Sequence, residues 1–184
     1  MTELRFRIEF ATPLRVSTGH AGPGVDAAID PTDPLPATSL KGVMRATTIQ
    51  LLGPDHPHVA AVFGSPAAAC PWEWSNAAPV SGTIWQPPRR AARIRINEHH
   101  VADHDMLAVT EQTHTSAATF TIRDTGSLDD ADHALHIAVL AVAGQATRSL
   151  GANRRRGLGW VHITCTTHPP GPEQIHAFLH GGPA

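Results

Sequence analysis

Tyrosine is absent from the 184 residues, and lysine occurs once, at Lys41. Five Phe and four Trp make aromatics only 5%, so an extended base-stacking platform has few side chains to be built from. Cysteine occurs twice, at Cys70 and Cys165. Neither lies in a C-x-x-C spacing, which argues against a disulfide framework and a thiolate zinc site and makes a cytoplasmic location the default expectation. No stretch approaches the ~18 uncharged apolar residues of a membrane span. The opening MTELRFRIEF is charged from its third residue, unlike a secretory signal. An excess of either charge sign is also missing: 14 basic against 16 acidic residues, net −2. A protein that holds polyanions through its overall field is normally basic. Any role in binding nucleic acid must therefore rest on local patches.

What is present suits one folded domain, with 41% hydrophobic residues in a length typical of a single core. Leu4, Phe6, Ile8 and Phe10 alternate with Arg5, Arg7 and Glu9, the period of a half-buried strand. Residues 12–38 are rich in Gly and Pro and read as a long loop carrying Asp26, Asp30 and Asp33. Thr38 or Ser39 is expected to open a helix whose stripe is Leu40, Val43, Met44, Thr47 and Leu51, closed by Gly53-Pro54. Short strands are expected around Trp72, Trp74 and Trp85, then at 93–96 and 118–122. A second helix is expected over 131–150, with N-cap candidates from Ser127 to Asp130 and Gly151 at its C′ position. A strand at 160–165 and a short helix at 173–180 complete the order. The class this predicts is α+β: a ferredoxin-like or RRM-like antiparallel sheet, two main helices and an inserted polar hairpin or loop at 97–116.

Chemistry concentrates in two places. In 151–159, glycines at 151, 157 and 159 allow close backbone approach, and Arg154, Arg155 and Arg156 supply forked donors beside Asn153. That suits a phosphodiester backbone, and it equally suits a solvated turn. Asp26, Asp30 and Asp33 could hold a divalent cation or move a proton, or could serve turns, as the Asp-Pro pairs at 30–31 and 33–34 suggest. The thirteen histidines show no zinc spacing and read as exposed polar residues, while His20 sits among glycines where a general base could lie. Trp72 and Trp74 read as core, and Arg93 and Arg95 as one non-core strand face.

Three segments in order resemble motifs of the RAMP superfamily, the repeat-associated proteins of CRISPR systems. LPATSLKGVMR (35–45) resembles its Ser-Leu-Lys-Gly helix start. VFGSPAAACPWEWSNAAP (62–79) resembles the segment that follows, with Asn76-Ala77 at the usual Asp-Ala. RSLGANRRRGLGWVHI (148–163) is similar to the C-terminal glycine-rich loop. The branch resembled is the backbone subunit of type III effector complexes. The resemblance implies one RNA-binding domain over 1–168, a thumb-like insertion at 97–116 and a Pro/Gly-rich tail at 169–184. It implies guide RNA, target RNA and other effector subunits, including copies of this chain, as partners. It assigns RNA contact to Ser39, Lys41 and Arg45 and to the 153–156 turn; Lys41 and the arginine turn are expected to converge on one sugar–phosphate chain. It assigns target cutting to Asp26 with Mg²⁺ or another divalent cation, the metal ligands being left unassigned. Other members of the superfamily process precursor RNA without metal, for which His20 would be the base, or cap an assembly without cutting.

Overall fold

A computed structural model describes residues 2–126 and 128–180, so Ser127 lies outside the described residues. The elements run β1 (Glu3–Phe10), α1 (Ala37–Leu52), α2 (Pro57–Phe63), β2 (Trp72–Trp74), β3 (Ala78–Pro79), β4 (Arg89–Ile96), β5 (Ala102–Gln112), β6 (Ala117–Asp124), α3 (Asp130–Ala146), β7 (Val161–Cys165) and α4 (Pro172–His180). The main sheet has the order β2-β6-β1-β7, with β3 also pairing β6. Every one of these pairings is antiparallel. With α1 after β1 and α3 after β6, this is the ferredoxin-like arrangement.

The alternation in β1 decides which face is inside. Leu4, Phe6 and Ile8 are fully buried, and Phe120 and Ile122 of β6 and Ile163 of β7 extend the same face. Phe6 and Phe120 stack with ring centroids 4.8 Å apart and planes 8° from parallel. The helices cover that face through Leu40 and Met44 of α1 and Val139, Leu140 and Ala143 of α3. Gly144 has no side chain because Phe6 fills the space: an added Cβ would lie 2.8 Å from its ring. Phe178 of α4 joins the same core.

Two helix ends differ from expectation. α1 starts at Ala37, with neither Thr38 nor Ser39 as cap. Its first N–H is instead held by Asn76 Oδ1, 2.9 Å away and 39 residues on in sequence. The Asn76 amide donates in turn to Asp33 Oδ2 at 2.9 Å. α3 is capped by Asp129, whose side chain accepts from Asp132 N–H at 2.9 Å. It stops at Ala146, because Thr147 bonds its hydroxyl back to the Ala143 carbonyl at 2.8 Å and leaves helical conformation. Gly151 thus lies beyond the helix, inside the loop that follows.

The expected polar excursion is one arm and the tip of a β-hairpin. β4 and β5 form a separate two-stranded sheet, paired from Arg89–Gln112 to Ile96–Ala102. The strand expected at 93–96 therefore begins four residues earlier, and 97–101 is the turn.

A candidate nucleic-acid interface

The loop between α3 and β7 is shaped by its glycines and its anchors. Leu150 N–H donates to Gly159 O at 2.8 Å, and Gly159, at φ +69°, lies so close that a Cβ would collide with the Leu150 carbonyl. Gly151, at φ +76°, presses likewise on the Arg15 carbonyl, and Ala152 N–H donates to that oxygen at 2.7 Å. Between these fixed ends Asn153 turns the chain in the left-handed region at φ 58°. Arg154–Arg156 then form one 3-10 turn closed by Gly157 at φ 83°. Leu158 is buried and anchors the far side. The three guanidinium groups are left exposed, facing a groove of about 650 Å³ that Gln50, Ser149 and Asn153 also line.

Pairing separates this turn from the arginines on the open face of the sheet. On the open face of the sheet, Arg5 and Arg123 both reach Glu3, at 2.8 and 3.0 Å, and Arg7 reaches Glu9 at 3.2 Å. Those two arginine bonds hold the Glu3 carboxyl below its usual pKa. Arg154, Arg155 and Arg156 have no ion pair to any described residue. Unpaired cations on a glycine-built loop are what an anionic chain can exploit, and paired ones are largely neutralised.

Lys41 and Arg45 share one face of α1, with Arg45 exposed and Lys41 half-buried. Gln50, where the arginine turn meets α1, is nine residues beyond Lys41. That is two and a half turns, about 13 Å along the axis and on the opposite side of the helix. Ser39 lies on the Gln50 side, eleven residues before it. Lys41 and the arginine turn therefore flank α1 and do not meet at one point. A strand touching both has to pass over the helix, crossing a length that accommodates about four phosphates of a stacked strand.

Asp26 is held at the base of the hairpin. Its N–H donates to Val109 O and its Oδ2 accepts from Val109 N–H, both at 2.7 Å. Ala27 makes a parallel bridge to Thr110, so this stretch lies along the outer edge of β5. Asp26 is exposed, and its Oδ1 has no partner among the described residues. Asp30 is spent on a turn: its Oδ1 accepts from Thr32 N–H at 2.8 Å, Thr32 hydroxyl at 2.6 Å and Asp33 N–H at 3.3 Å. The Thr32 bonds hold its carboxyl below the usual range. Burial, then the charge of Asp30, pushes Asp33 up. No group of three or more His, Cys, Asp or Glu able to hold a metal occurs among the described residues. With Oδ1 the one carboxylate oxygen of Asp26 left free among the described residues and available as a base, a Mg²⁺ beside it would draw its ligands from water and substrate phosphates. His20 is exposed in the same loop, its carbonyl accepting from Ala28 N–H at 3.2 Å.

Two histidines expected at the surface are not simple surface groups. His136 is 2% exposed, and its Nδ1 accepts from Trp72 Nε1 at 3.2 Å. Burial lowers its pKa, so it is the neutral acceptor that Trp72 needs. His133 stacks on Trp72 with ring centroids 5.7 Å apart. Sequence reasoning also missed Trp160, 55% exposed and donating its Nε1–H to the Arg154 carbonyl at 3.3 Å. The alternation of Val161, Ile163 and Cys165 inward places Trp160 on the outward phase, which was the available signal.

The protein thus joins a ferredoxin-like sheet to a glycine-rich basic loop after its second main helix, with Ser39-Leu40-Lys41-Gly42 in the first turns of the first. The chain belongs to the RAMP superfamily, which it matches over residues 7–162. Comparison with curated proteins gives no match. Chains in two cryo-EM structures of type III-B Cmr-beta resemble this fold, one structure being bound to cognate target RNA and the other in the apo state. Each has a TM-score of 0.65, at 12% and 13% identity, covering 89% of this chain and 97% of its own. At that identity the likeness is one of fold. No helix among the described residues is long and apolar enough to cross a membrane.

Proposed function

We propose that the protein is a guide-RNA-binding backbone subunit of a type III CRISPR ribonucleoprotein effector. The observation that carries this reading is the exposed, unpaired Arg154–Arg156 turn on a loop whose shape is fixed by glycine. It acts together with the superfamily membership and the likeness of fold to chains of Cmr-beta complexes. The chain grips RNA by phosphate and shape, with Asn153, the arginine turn, Ser39, Lys41 and Arg45 as contacts, so binding is indifferent to guide sequence. Guide RNA, target RNA and further effector subunits, copies of this chain among them, are its partners, and it works in the cytoplasm. The protein expressed in its host should co-purify with short RNAs sharing a common 5′ tag, in a complex whose mass requires several copies. A mass that allows one copy favours a capping role.

Target cutting is the finer part of the proposal. Asp26 presents Oδ1 at the hairpin base while Val109 fixes Oδ2. It can therefore orient a ribose 2′-hydroxyl and accept its proton as that oxygen attacks the adjacent phosphorus; a 2′,3′-cyclic phosphate forms, the bond to the next nucleotide's 5′-oxygen breaks, and that oxygen takes a proton from water. A bound divalent cation supplies charge stabilisation at the phosphate. Asp26→Asn keeps an acceptor for Val109 N–H and removes the base. The expected result is loss of Mg²⁺-dependent periodic cleavage with assembly intact. Cleavage persisting in that variant removes Asp26 from the site, and cleavage persisting in EDTA favours a metal-independent reaction with His20 as base.

A further inference from the structure

We propose that Trp160 is a stacking platform for one unpaired nucleobase of a bound RNA strand, taken into a cleft beside the arginine turn. The proposal rests on the RNA-binding reading above and names a contact to a base, which that reading does not contain. Trp160 is the one exposed aromatic side chain among the described residues. Exposure alone would mean little. What sets Trp160 apart is that it is exposed and rigid together. Its N–H donates to the Thr12 hydroxyl at 2.9 Å, and its carbonyl accepts from Ala11 N–H at 2.9 Å. Its indole is tied at one edge, where Nε1–H donates to the Arg154 carbonyl at 3.3 Å. No aromatic ring among the described residues packs on it. A ring already fixed gives up little rotamer freedom when a base lands on its face.

The indole is one wall of a cleft of about 630 Å³. Buried Phe10 and Val161 line it, as do exposed Glu9 and Arg148. Ser149 lines both this cleft and the groove that the three guanidinium groups face, so the two adjoin. They differ in chemistry as the two ends of a nucleotide do. The groove offers unpaired cations, which suit phosphate. The cleft offers aromatic and aliphatic surface together with the carboxylate of Glu9. That carboxylate repels a phosphate and accepts hydrogen bonds from the amino groups of a base. Arg7 takes its Oε1 at 3.2 Å, and its Oε2 has no partner among the described residues. The Arg148 side chain makes no ion pair or hydrogen bond to a described residue, so its planar fork is free to donate to a base carbonyl or to stack on the ring. A base is favoured over an apolar side chain of another protein by continuity: the indole hangs on the carbonyl of Arg154, itself part of the phosphate-facing turn. Stacking on an indole accepts any base, in keeping with binding that is indifferent to guide sequence.

The test titrates two probes over a salt series against full-length wild type, Trp160→Leu and Trp160→Phe. One probe is a mixed-sequence single-stranded RNA, and the other is a ribose–phosphate chain of the same length without bases. Trp160→Leu should bind the RNA about tenfold more weakly. Its slope of log affinity against log salt should match wild type, since no phosphate contact is lost. Trp160→Phe keeps a ring and loses only the bond to Arg154, so it should retain most of the wild-type affinity. All three proteins should bind the base-free chain alike. Wild-type RNA affinity in Trp160→Leu overturns the stacking site alone, and if copies are then lost from the purified complex the cleft belongs to a protein partner. Equal losses on the two probes overturn it too, because the indole then acts through the shape of the arginine turn. A wild type that binds neither probe overturns the functional reading beneath it.

Discussion

Replacing Asn76 with Asp probes how α1 is started. The Asn76 amide bridges two partners of opposite need: its oxygen accepts from Ala37 N–H and its nitrogen donates to Asp33 Oδ2, each at 2.9 Å. Aspartate keeps the acceptor for the helix and even complements its dipole, a gain of about 0.3–1 kcal/mol. It also turns a hydrogen bond to a carboxylate into a contact between two carboxylates. At 2.9 Å such a pair repels by about 1.4 kcal/mol even at the dielectric constant of water. Losing the charged hydrogen bond adds about 1.5 kcal/mol, reduced by solvent at this partly exposed site. The net expectation is a loss of about 1–2 kcal/mol at pH 7, or roughly 2–8 °C in Tm for a chain of this size. The sign with pH follows from Asp33, whose pKa is already raised in the folded protein. A raised acid costs stability as pH rises through its titration, so the variant's deficit should shrink as pH falls from 7 toward 4. Changing Asp33 to Asn as well should restore most of the loss, because the pair is then complementary with its members exchanged. Thermal melts of wild type, Asn76→Asp, Asp33→Asn and the double variant at pH 7 and pH 4 decide it. A single variant as stable as wild type at pH 7, or a deficit unchanged at pH 4, would refute the reasoning.

Two further predictions concern the loop and the core. Gly159→Ala should lower Tm by several degrees and weaken RNA binding, since it combines a φ of +69° with collision against the Leu150 carbonyl. Gly157→Ala, at φ +83° with open space around it, should cost only the backbone term of about 1 kcal/mol; equal losses in the two variants would contradict the packing account. In wild type burial holds the folded pKa of His136 below the ordinary histidine value of 6.5. Stability should therefore fall as pH drops below about 6.5, where the unfolded chain takes up the proton first. His136→Gln should flatten that fall in part, His58 contributing in the same direction, and an unchanged pH profile would remove His136 from it.

The parts of the fold legible in the sequence were those governed by local periodicity. β1 and β6 announced themselves because one face meets the core and the other meets water, which forces period two. β4 was half legible: Arg89-Arg90-Ala91-Ala92 has no alternation, since a hairpin standing apart from the sheet buries neither face fully. The start of α1 was illegible because its cap comes from 39 residues away. The end of α3 was misassigned because Thr147 competes with the helix through its own hydroxyl, whereas Gly151 serves a close approach to Arg15. Among site residues, the arginine turn was visible as a motif. Trp160 was not, since a single outward indole gains meaning only when the arginine turn closes on it. The separation of Lys41 from the arginine turn could have been anticipated only by knowing which point of α1 the later loop would reach.

The central claim is that unpaired cations flanking α1 hold a sugar–phosphate chain. It is tested most directly by titrating single-stranded RNA against full-length wild type and a variant with Lys41→Ala and Arg154, Arg155 and Arg156 changed to Gln, over a range of salt. Wild type should bind with a log–log salt slope of about −2 or steeper, and the variant should lose most of both affinity and slope. Equal affinity for the two proteins near 0.15 M salt, where exposed charges more than ~8 Å apart are largely screened, would contradict it.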